Sequence, residues 1–505
     1  MKFDELLIGP INALRALLRR NSALRRRLMP ILRYSSRFWR LQPADNSVAD
    51  YRRWVAAFDT LDDSDRDAIR NQIATLGDCP MISIVMPVYN TPESYLRAAI
   101  TSVRAQIYPY WELCIADDAS PSPHVATMLE QAAATDRRIR WVRRETNGHI
   151  SAATNTALNL ASGEWVALMD HDDILPEHAL FVLALEMTEH PDARVIYSDE
   201  DRIDDNGLRS HPYFKPDFDP DLLLGQNVFN HLSAWRRDLL QRLGGLRPGF
   251  EGSQDHDLAL RAAAFVKPGQ IRHIPAILYH WRQASGSVSF SESDLASCAD
   301  ASRRAVREHL AKRGVQAEVV PAALAPNYNR VIWPMPEPPP LVSIIVPTRD
   351  RTELLESCVD GLLNRTSYPA IEVLIVDNDS RSSEAQGYFA RIQGDKRVRV
   401  IAAPGPFNYA DLNNRAAAQA RGEILLLLNN DIKVIDGDWL RELVSHAMRH
   451  DVGAVAQSCF MLMAGCSMAG SSSVSGEWPA IIEWASAVTR PVLSAGSRSL
   501  APLPH

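Results

Sequence analysis

Residues 82–88 read Ile82-Ser83-Ile84-Val85-Met86-Pro87-Val88. The apolar run from Ile82 to Met86, ended by Pro87, is the pattern of a strand buried on both faces. Downstream, Thr91 as N-cap, Pro92 at the first helical position and Glu93 in the first turn predict a helix through about Gln106. Trp111 to Ala116 is the next apolar run, and Asp117-Asp118-Ala119-Ser120 ends it. Then come a helical stretch, strand-like Ile139–Val142, a helix near Ser151–Ala161 and strand-like Glu164–Met169. This alternation predicts an α/β fold with a parallel, doubly wound sheet. Such sheets bind ligands beyond the carboxyl ends of their strands. Asp117 and Asp118, and again Asp170 and Asp172, fall at those ends.

The pattern then repeats. Ser83, Ile84, Pro87, Tyr108, Pro109, Glu112, Asp117 and Ser120 recur 260 positions later as Ser343, Ile344, Pro347, Tyr368, Pro369, Glu372, Asp377 and Ser380. At an offset of 259, Asn155, Gly163, Glu164 and Asp172 recur as Asn414, Gly422, Glu423 and Asp431. Two copies of one α/β module are expected, separated by the stiff run Pro334 to Pro340. The expected boundaries are 1–80 for a basic helical extension, 81–300 for a complete module and 301–340 for a helical segment and linker. Residues 341–452 read as a partial second module. From Gly453 the charge density falls and small residues crowd in, so 453–505 reads as an aberrant, low-complexity tail.

Composition narrows the function. The chain has 505 residues, 46% hydrophobic and 23% charged, an ordinary globular mix. A net charge of −7 carries no nucleic-acid-binding signature. Residues 1–40, however, carry Lys2 and nine Arg against Asp4 and Glu5, mixed with Leu, Ile and Trp39. That basic arm suits contact with an anionic surface, either phospholipid or a partner, or else forms a solvated helical extension. No apolar run approaches the ~20 residues needed to cross a bilayer. Asp4, Glu5 and Arg15 argue against a signal peptide. Six scattered Cys, none in a C-x-x-C pair, fit a reducing cytoplasm. Cys114 and Cys358 read as small core residues.

Four clusters carry chemistry. Asp170-His171-Asp172-Asp173 follows an apolar strand, where carboxylates offer hard oxygen ligands to a divalent cation. Asp118 is placed to accept a hydrogen bond from a base N–H or ribose hydroxyl, or else, with Ser120, to cap a helix. Asp255, in Gly252-Ser253-Gln254-Asp255-His256-Asp257 before the apolar helix Leu258–Ala264, is a candidate general base. Its bland alternative is an acidic residue at a helix N-terminus. His280, in Tyr279-His280-Trp281-Arg282 after strand-like Ile274–Leu278, is a candidate metal ligand or a packed imidazole.

Together these motifs resemble inverting family 2 glycosyltransferases of the GT-A (Rossmann-like) fold. The resemblance rests on Pro87-Val88-Tyr89-Asn90, Asp117-Asp118-Ala119-Ser120, Asn147-Gly148 with Asn155, Asp170-His171-Asp172-Asp173 and Gln254-Asp255. Tyr197-Ser198-Asp199-Glu200-Asp201 and Tyr213-Phe214-Lys215-Pro216-Asp217 are similar to segments of tandem bacterial proteins that assemble O-antigen and other surface polysaccharides. The resemblance implies a nucleotide-diphospho-sugar donor and a glycan or lipid-linked glycan acceptor. It also implies a cytoplasmic location, with membrane attachment on the inner face through residues 1–40. Pro87, Tyr89 and Asp118 would line the base pocket. Asp170 would lie near the ribose or donor sugar, Asp172 and His280 would ligate Mn2+ or Mg2+, and Asp255 would be the catalytic base. To stay ionised, Asp255 should sit in a polar or partly wet site. The second copy keeps Pro347, Asp377, Asn414 and Asp431 but shows no counterpart of the Asp255 segment, so it is expected to be inactive. Two alternatives remain. A sugar nucleotidyltransferase would need a Gly-rich basic loop, and none lies between Ile84 and Ser94. A degenerate scaffold would bind sugar nucleotide or glycan without turnover.

Overall fold

The computed structural model describes residues 48–283, 292–323 and 325–456. The basic arm 1–40 and the tail from 457 lie outside the described residues. Two compact units are present. The first runs to Gly314 and takes in Val319–Arg330; the second comprises Val315–Glu318 and the chain from Val331.

In the first unit, helices α1 (Val48–Phe58) and α2 (Asp63–Ala74) precede the sheet. The elements that follow are β1 (Ile82–Val88), α3 (Glu93–Arg104), β2 (Trp111–Asp117), α4 (Pro123–Thr135), β3 (Ile139–Arg143), α5 (His149–Leu158), β4 (Trp165–Leu168) and α6 (Ala179–Glu189). Strands β1 and β2 are buried along their whole length, which is why they read as unbroken apolar runs. Thr91 does not cap α3 as expected: the helix begins at Glu93 without a side-chain cap, and the Thr91 hydroxyl is buried without a hydrogen bond. Nor do Asp118 or Ser120 cap α4, whose N-cap is Ser122.

The remainder corrects the expectation of an all-parallel sheet. It supplies β5 (Val195–Ile203), β6 (Arg209–Tyr213), α7 (Pro220–Gly225), β7 (Ser233–Arg236), α8 (Arg237–Leu243), α9 (Gln254–Phe265), β8 (Ile271–Arg282), α10 (Glu292–Lys312), β9 (Glu318–Ala322) and β10 (Ala325–Ile332). The sheet is mixed and eight-stranded, in the order β3-β2-β1-β4-β7-β5-β6, with β8 also paired to β5. β7 lies antiparallel between β4 and β5, with Leu168 opposite Ser233 and Tyr197 opposite Ser233 on the other side. The residues just before β7 therefore arrive beside the carboxyl end of β4. β8 runs parallel to β5 and sets Tyr279 beside Glu200 and His280 beside Asp201. His280 is thus inside a strand rather than beyond one. The hairpin β9–β10 was not foreseen, and its Val319–Arg330 portion belongs to the first unit, past the expected boundary at 300.

The second unit contains β11 (Val342–Thr348), α11 (Thr352–Asp360), β12 (Ile371–Asp377), α12 (Ser383–Ile392), β13 (Val398–Ala402), α13 (Tyr409–Ala417), β14 (Ile424–Leu427) and α14 (Trp439–Ala447). Its four strands are parallel in the order β13-β12-β11-β14, matching β3-β2-β1-β4. Cys114 and Cys358 occupy core positions, as expected.

Candidate active site

At the carboxyl ends of β1 and β4, a cleft of roughly 340 Å³ is lined by Pro87, Thr154, Asp170, Asn230, His231 and Asp255 among others. Pro87, Asp170 and Asp255 are therefore brought together. Tyr89 is half-exposed after β1. Asp118 is buried, and its carboxylate already accepts hydrogen bonds from Gly148 N–H at 3.0 Å and pairs with Arg144 Nε at 3.0 Å. It clamps the entry to α5, so a nucleobase would meet a carboxylate partly used within the protein.

The Asp170–Asp173 turn is pinned by its last member. Buried Asp173 accepts from the Tyr279 hydroxyl (2.5 Å) and from Arg282 N–H (2.7 Å), and Arg282 Nε donates to the Asp172 carbonyl. Burial raises the Asp173 carboxyl well above the carboxylate range. Asp172 stays partly exposed, and His171 Nδ1 lies 3.8 Å from its Oδ1. His280 Nδ1 lies 2.5 Å from Asp201 Oδ1, so that Nε2 is the ring nitrogen turned away from this carboxylate. An imidazole oriented by a carboxylate is the usual support of a metal ligand. A carboxylate oxygen and an imidazole nitrogen also suit Mn2+. These donor types suit a divalent cation, but neither Asp172 nor His280 is in the lining of the cleft. Among the described residues, the one group of three or more such ligands close together is Glu186, Glu189 and His190, at the far end of α6, and it includes neither Asp172 nor His280.

Asp255 sits in the first turn of α9. Its Oδ2 accepts from Asn230 Nδ2 at 2.9 Å and from Gln254 Nε2 at 3.1 Å. Burial, with Asp170 adding to it, raises the carboxyl to about 6. The expected polar donors are present, but the site is less wet than expected. A base poised near 6 removes protons more effectively than an ordinary carboxylate and is still ionised at neutral pH.

Sequence reasoning gave no role to Asn230, His231, Glu200 or Lys215. His231 stacks on Tyr279 at 4.6 Å, and Glu200 Oε2 receives both its backbone N–H (2.6 Å) and Nδ1 (3.0 Å). Its Nε2 lies 3.6 Å from Asp170 Oδ2. Burial opposes charging His231, yet Glu200, Asp170 and Asp173 outweigh it and push the imidazole up to about 9. Fully buried Lys215 donates to the carbonyls of Asn230 (2.7 Å) and His231 (2.9 Å), fixing that backbone under the cleft. The available signal was the polar pair Asn230-His231 between Phe229 and Leu232.

Comparison with known proteins identifies the family. The profile of Glycosyl transferase family 2 matches residues 83–244 and 343–461, more than half of the chain. The chain belongs to that family. The family 2 chain is 45% identical to protein y4gI of Sinorhizobium fredii over 77% of its own length and 43% of that protein. It is 42% identical to the O-antigen biosynthesis protein RfbC of Myxococcus xanthus, over 82% of its own length and 32% of that protein. It thus spans less than half of either relative. Among solved structures, S. aureus TarS 1–349 in complex with UDP-GlcNAc is similar at a TM-score of 0.37 and 20% identity, covering 46% of this chain and 71% of that one. No helix among the described residues is long and apolar enough to cross a membrane.

Proposed function

We propose that the first unit is an inverting glycosyltransferase. It moves a hexosyl or deoxyhexosyl group from a nucleotide-diphospho-sugar to a hydroxyl of a glycan or lipid-linked glycan. The relationship to RfbC supports a place in bacterial O-antigen or related surface-polysaccharide synthesis. The observation that carries the reading is Asp255, held by two amides in the cleft that also exposes Asp170 and His231. Asp255 takes the proton of the acceptor hydroxyl as its oxygen attacks the anomeric carbon. The bond from that carbon to the diphosphate oxygen breaks on the opposite face, so a single displacement inverts the configuration. The imidazolium of His231 brings positive charge to the cleft where the diphosphate becomes more anionic. Pro87 and Tyr89 border the base, with Asp118 beneath. Bound at Asp172 and His280, Mn2+ or Mg2+ would neutralise charge on the leaving group.

The second unit is, in this reading, a partial copy of residues 81–300 that performs no transfer. Asn378 and Asn429 stand where the first unit has Asp118 and Asp170. Residues 1–40 are assigned to contact with the inner face of the cytoplasmic membrane. Anionic liposomes should then retain the full chain and lose one that starts at Cys79.

The test is a panel of UDP-, dTDP- and GDP-sugars with Mn2+, reading nucleotide release and thermal shift. Metal-dependent release with one donor is expected. No response to any donor from folded protein would favour a degenerate sugar-nucleotide- or glycan-binding scaffold.

A further inference from the structure

Asp255 and Asn230 line a second cleft as well, larger at roughly 770 Å³. Its other residues come from the segment after α7, the start of α9, the helix α10 and the strand β10. These elements are tied together. His256 on α9 contacts Ser302 Oγ of α10 through Nδ1 (2.9 Å) and the Leu223 carbonyl of α7 through Nε2 (2.6 Å). Asn329 of β10 donates to the same Ser302 (2.8 Å) and to the Leu224 carbonyl (3.2 Å). Ser253 Oγ donates to the Cys298 carbonyl at 2.8 Å. Gly252, at φ +81°, brings the loop so close that a Cβ would lie 2.2 Å from Cys298 Sγ. The cleft is therefore a built wall.

Its chemistry is neutral and polar. Gln226, Asn227, Asn230 and Asn327 supply amides, Ser253 and Ser302 hydroxyls, and Tyr328 a phenol. Burial pushes His256 down to about 4, so it is uncharged. Among the described residues no Lys or Arg lines the cleft, and Asp255 is the one charged group in that lining at neutral pH. A phosphate or carboxylate placed here would face that carboxylate, while the imidazolium that offsets Asp255, His231, lines the first cleft and not this one. Carboxamides both donate and accept, as sugar hydroxyls do.

We infer that this second cleft receives the acceptor, and that the end it takes is an uncharged sugar, bound through the amides of Asn227 and Asn327 beside Tyr328. The inference rests on the transferase reading of Asp255 and adds the acceptor class to it. One carboxyl on the wall of both clefts is where a hydroxyl from one side would meet an anomeric carbon from the other.

Saturation-transfer NMR on the full chain tests it, with neutral methyl hexosides, methyl glucuronide and hexose 6-phosphates as probes, and UDP, dTDP and GDP in parallel. At least one neutral hexoside should bind. Asn327→Ala, at an exposed site whose amide makes no hydrogen bond to the protein, should weaken it about fivefold, the order of one lost hydrogen bond. Asn327→Asp should not enhance binding of the anionic sugars, and neither variant should alter nucleotide binding. The inference is overturned if anionic sugars bind as well as neutral ones, if no neutral hexoside binds, or if Asn327 variants leave hexoside binding unchanged. Hexoside binding without any nucleotide binding would instead overturn the transferase reading and leave a glycan-binding cleft.

Discussion

The two sheets of this chain share a scaffold and differ in chemistry. In the first, Glu112 Oε1 accepts from Ser83 Oγ (2.6 Å) and Ser162 N–H (2.6 Å), and Oε2 pairs with Arg140. In the second, Glu372 Oε1 accepts from Ser343 Oγ (2.6 Å) and Arg421 N–H (2.6 Å), and Oε2 pairs with Arg399. Gly163 and Gly422 fit the same tight corner, where a Cβ would lie 2.6 Å from the carbonyls of Met81 and Leu341. Tyr108 and Tyr368 bond the Pro80 and Pro340 carbonyls, and Ser120 and Ser380 accept from Asn90 and Asp350 N–H. These contacts hold β1, β2 and β4 together, or their equivalents. The half that supplies the polar residues of the cleft follows a different course. Asn230, His231, Asp255 and Tyr279 all come from β7, β8, α9 and their approaches, and the described residues of the second unit contain no counterpart of those elements. A duplicated scaffold is not a duplicated cleft.

Paired substitutions put that contrast at risk. Asp255→Asn should lower transfer by about 10²- to 10⁴-fold, the range of a lost general base, with nucleotide binding retained. Asp431→Asn should leave the rate unchanged. A comparable loss from Asp431→Asn would show that the second unit shares the chemistry. Next in size, Glu112→Ala and Glu372→Ala should each destabilise their own unit by about 3 kcal/mol, because each strips a buried acceptor from several donors. In denaturant unfolding, equal losses would sharpen the scaffold equivalence and a silent Glu372 would break it. Smaller still is a pH effect confined to the first unit. The imidazole of His231 is raised to about 9, so its stabilisation is complete below pH 6.5 and lost as pH rises through 9. The loss is at most about 3 kcal/mol. His231→Gln should flatten that slope in unfolding measured from pH 6 to 10.

The sequence made the shared scaffold legible because buried parallel strands are near-continuous apolar runs with carboxylates at their ends, as at Trp111–Asp117 and Ile371–Asp377. Pro87 and Asp170 could be named for the same reason, whereas Asp255 reads as an acidic residue opening a helix and takes its role from the family resemblance. The antiparallel half was opaque. β5 reads Val195-Ile196-Tyr197-Ser198-Asp199-Glu200-Asp201, whose acidic residues look like a loop until His231, Lys215, Arg209 and His273 are folded against them. β10 carries Pro326 and three polar residues, and its pattern offers no alternation. His231 owes its charge to Glu200, 31 positions away, a pairing that only the β5–β7 register creates.

Because one carboxyl borders both clefts, occupancy and protonation are thermodynamically linked. A nucleoside diphosphate added without metal sets negative charge near Asp255, whose carboxyl already titrates at about 6, and raises its affinity for a proton. Binding near pH 6 should therefore draw protons from solution. In calorimetry the apparent heat would then change with the ionisation enthalpy of the buffer, and Asp255→Asn would remove that dependence. The shared wall makes the protein's proton count a readout of which cleft is filled.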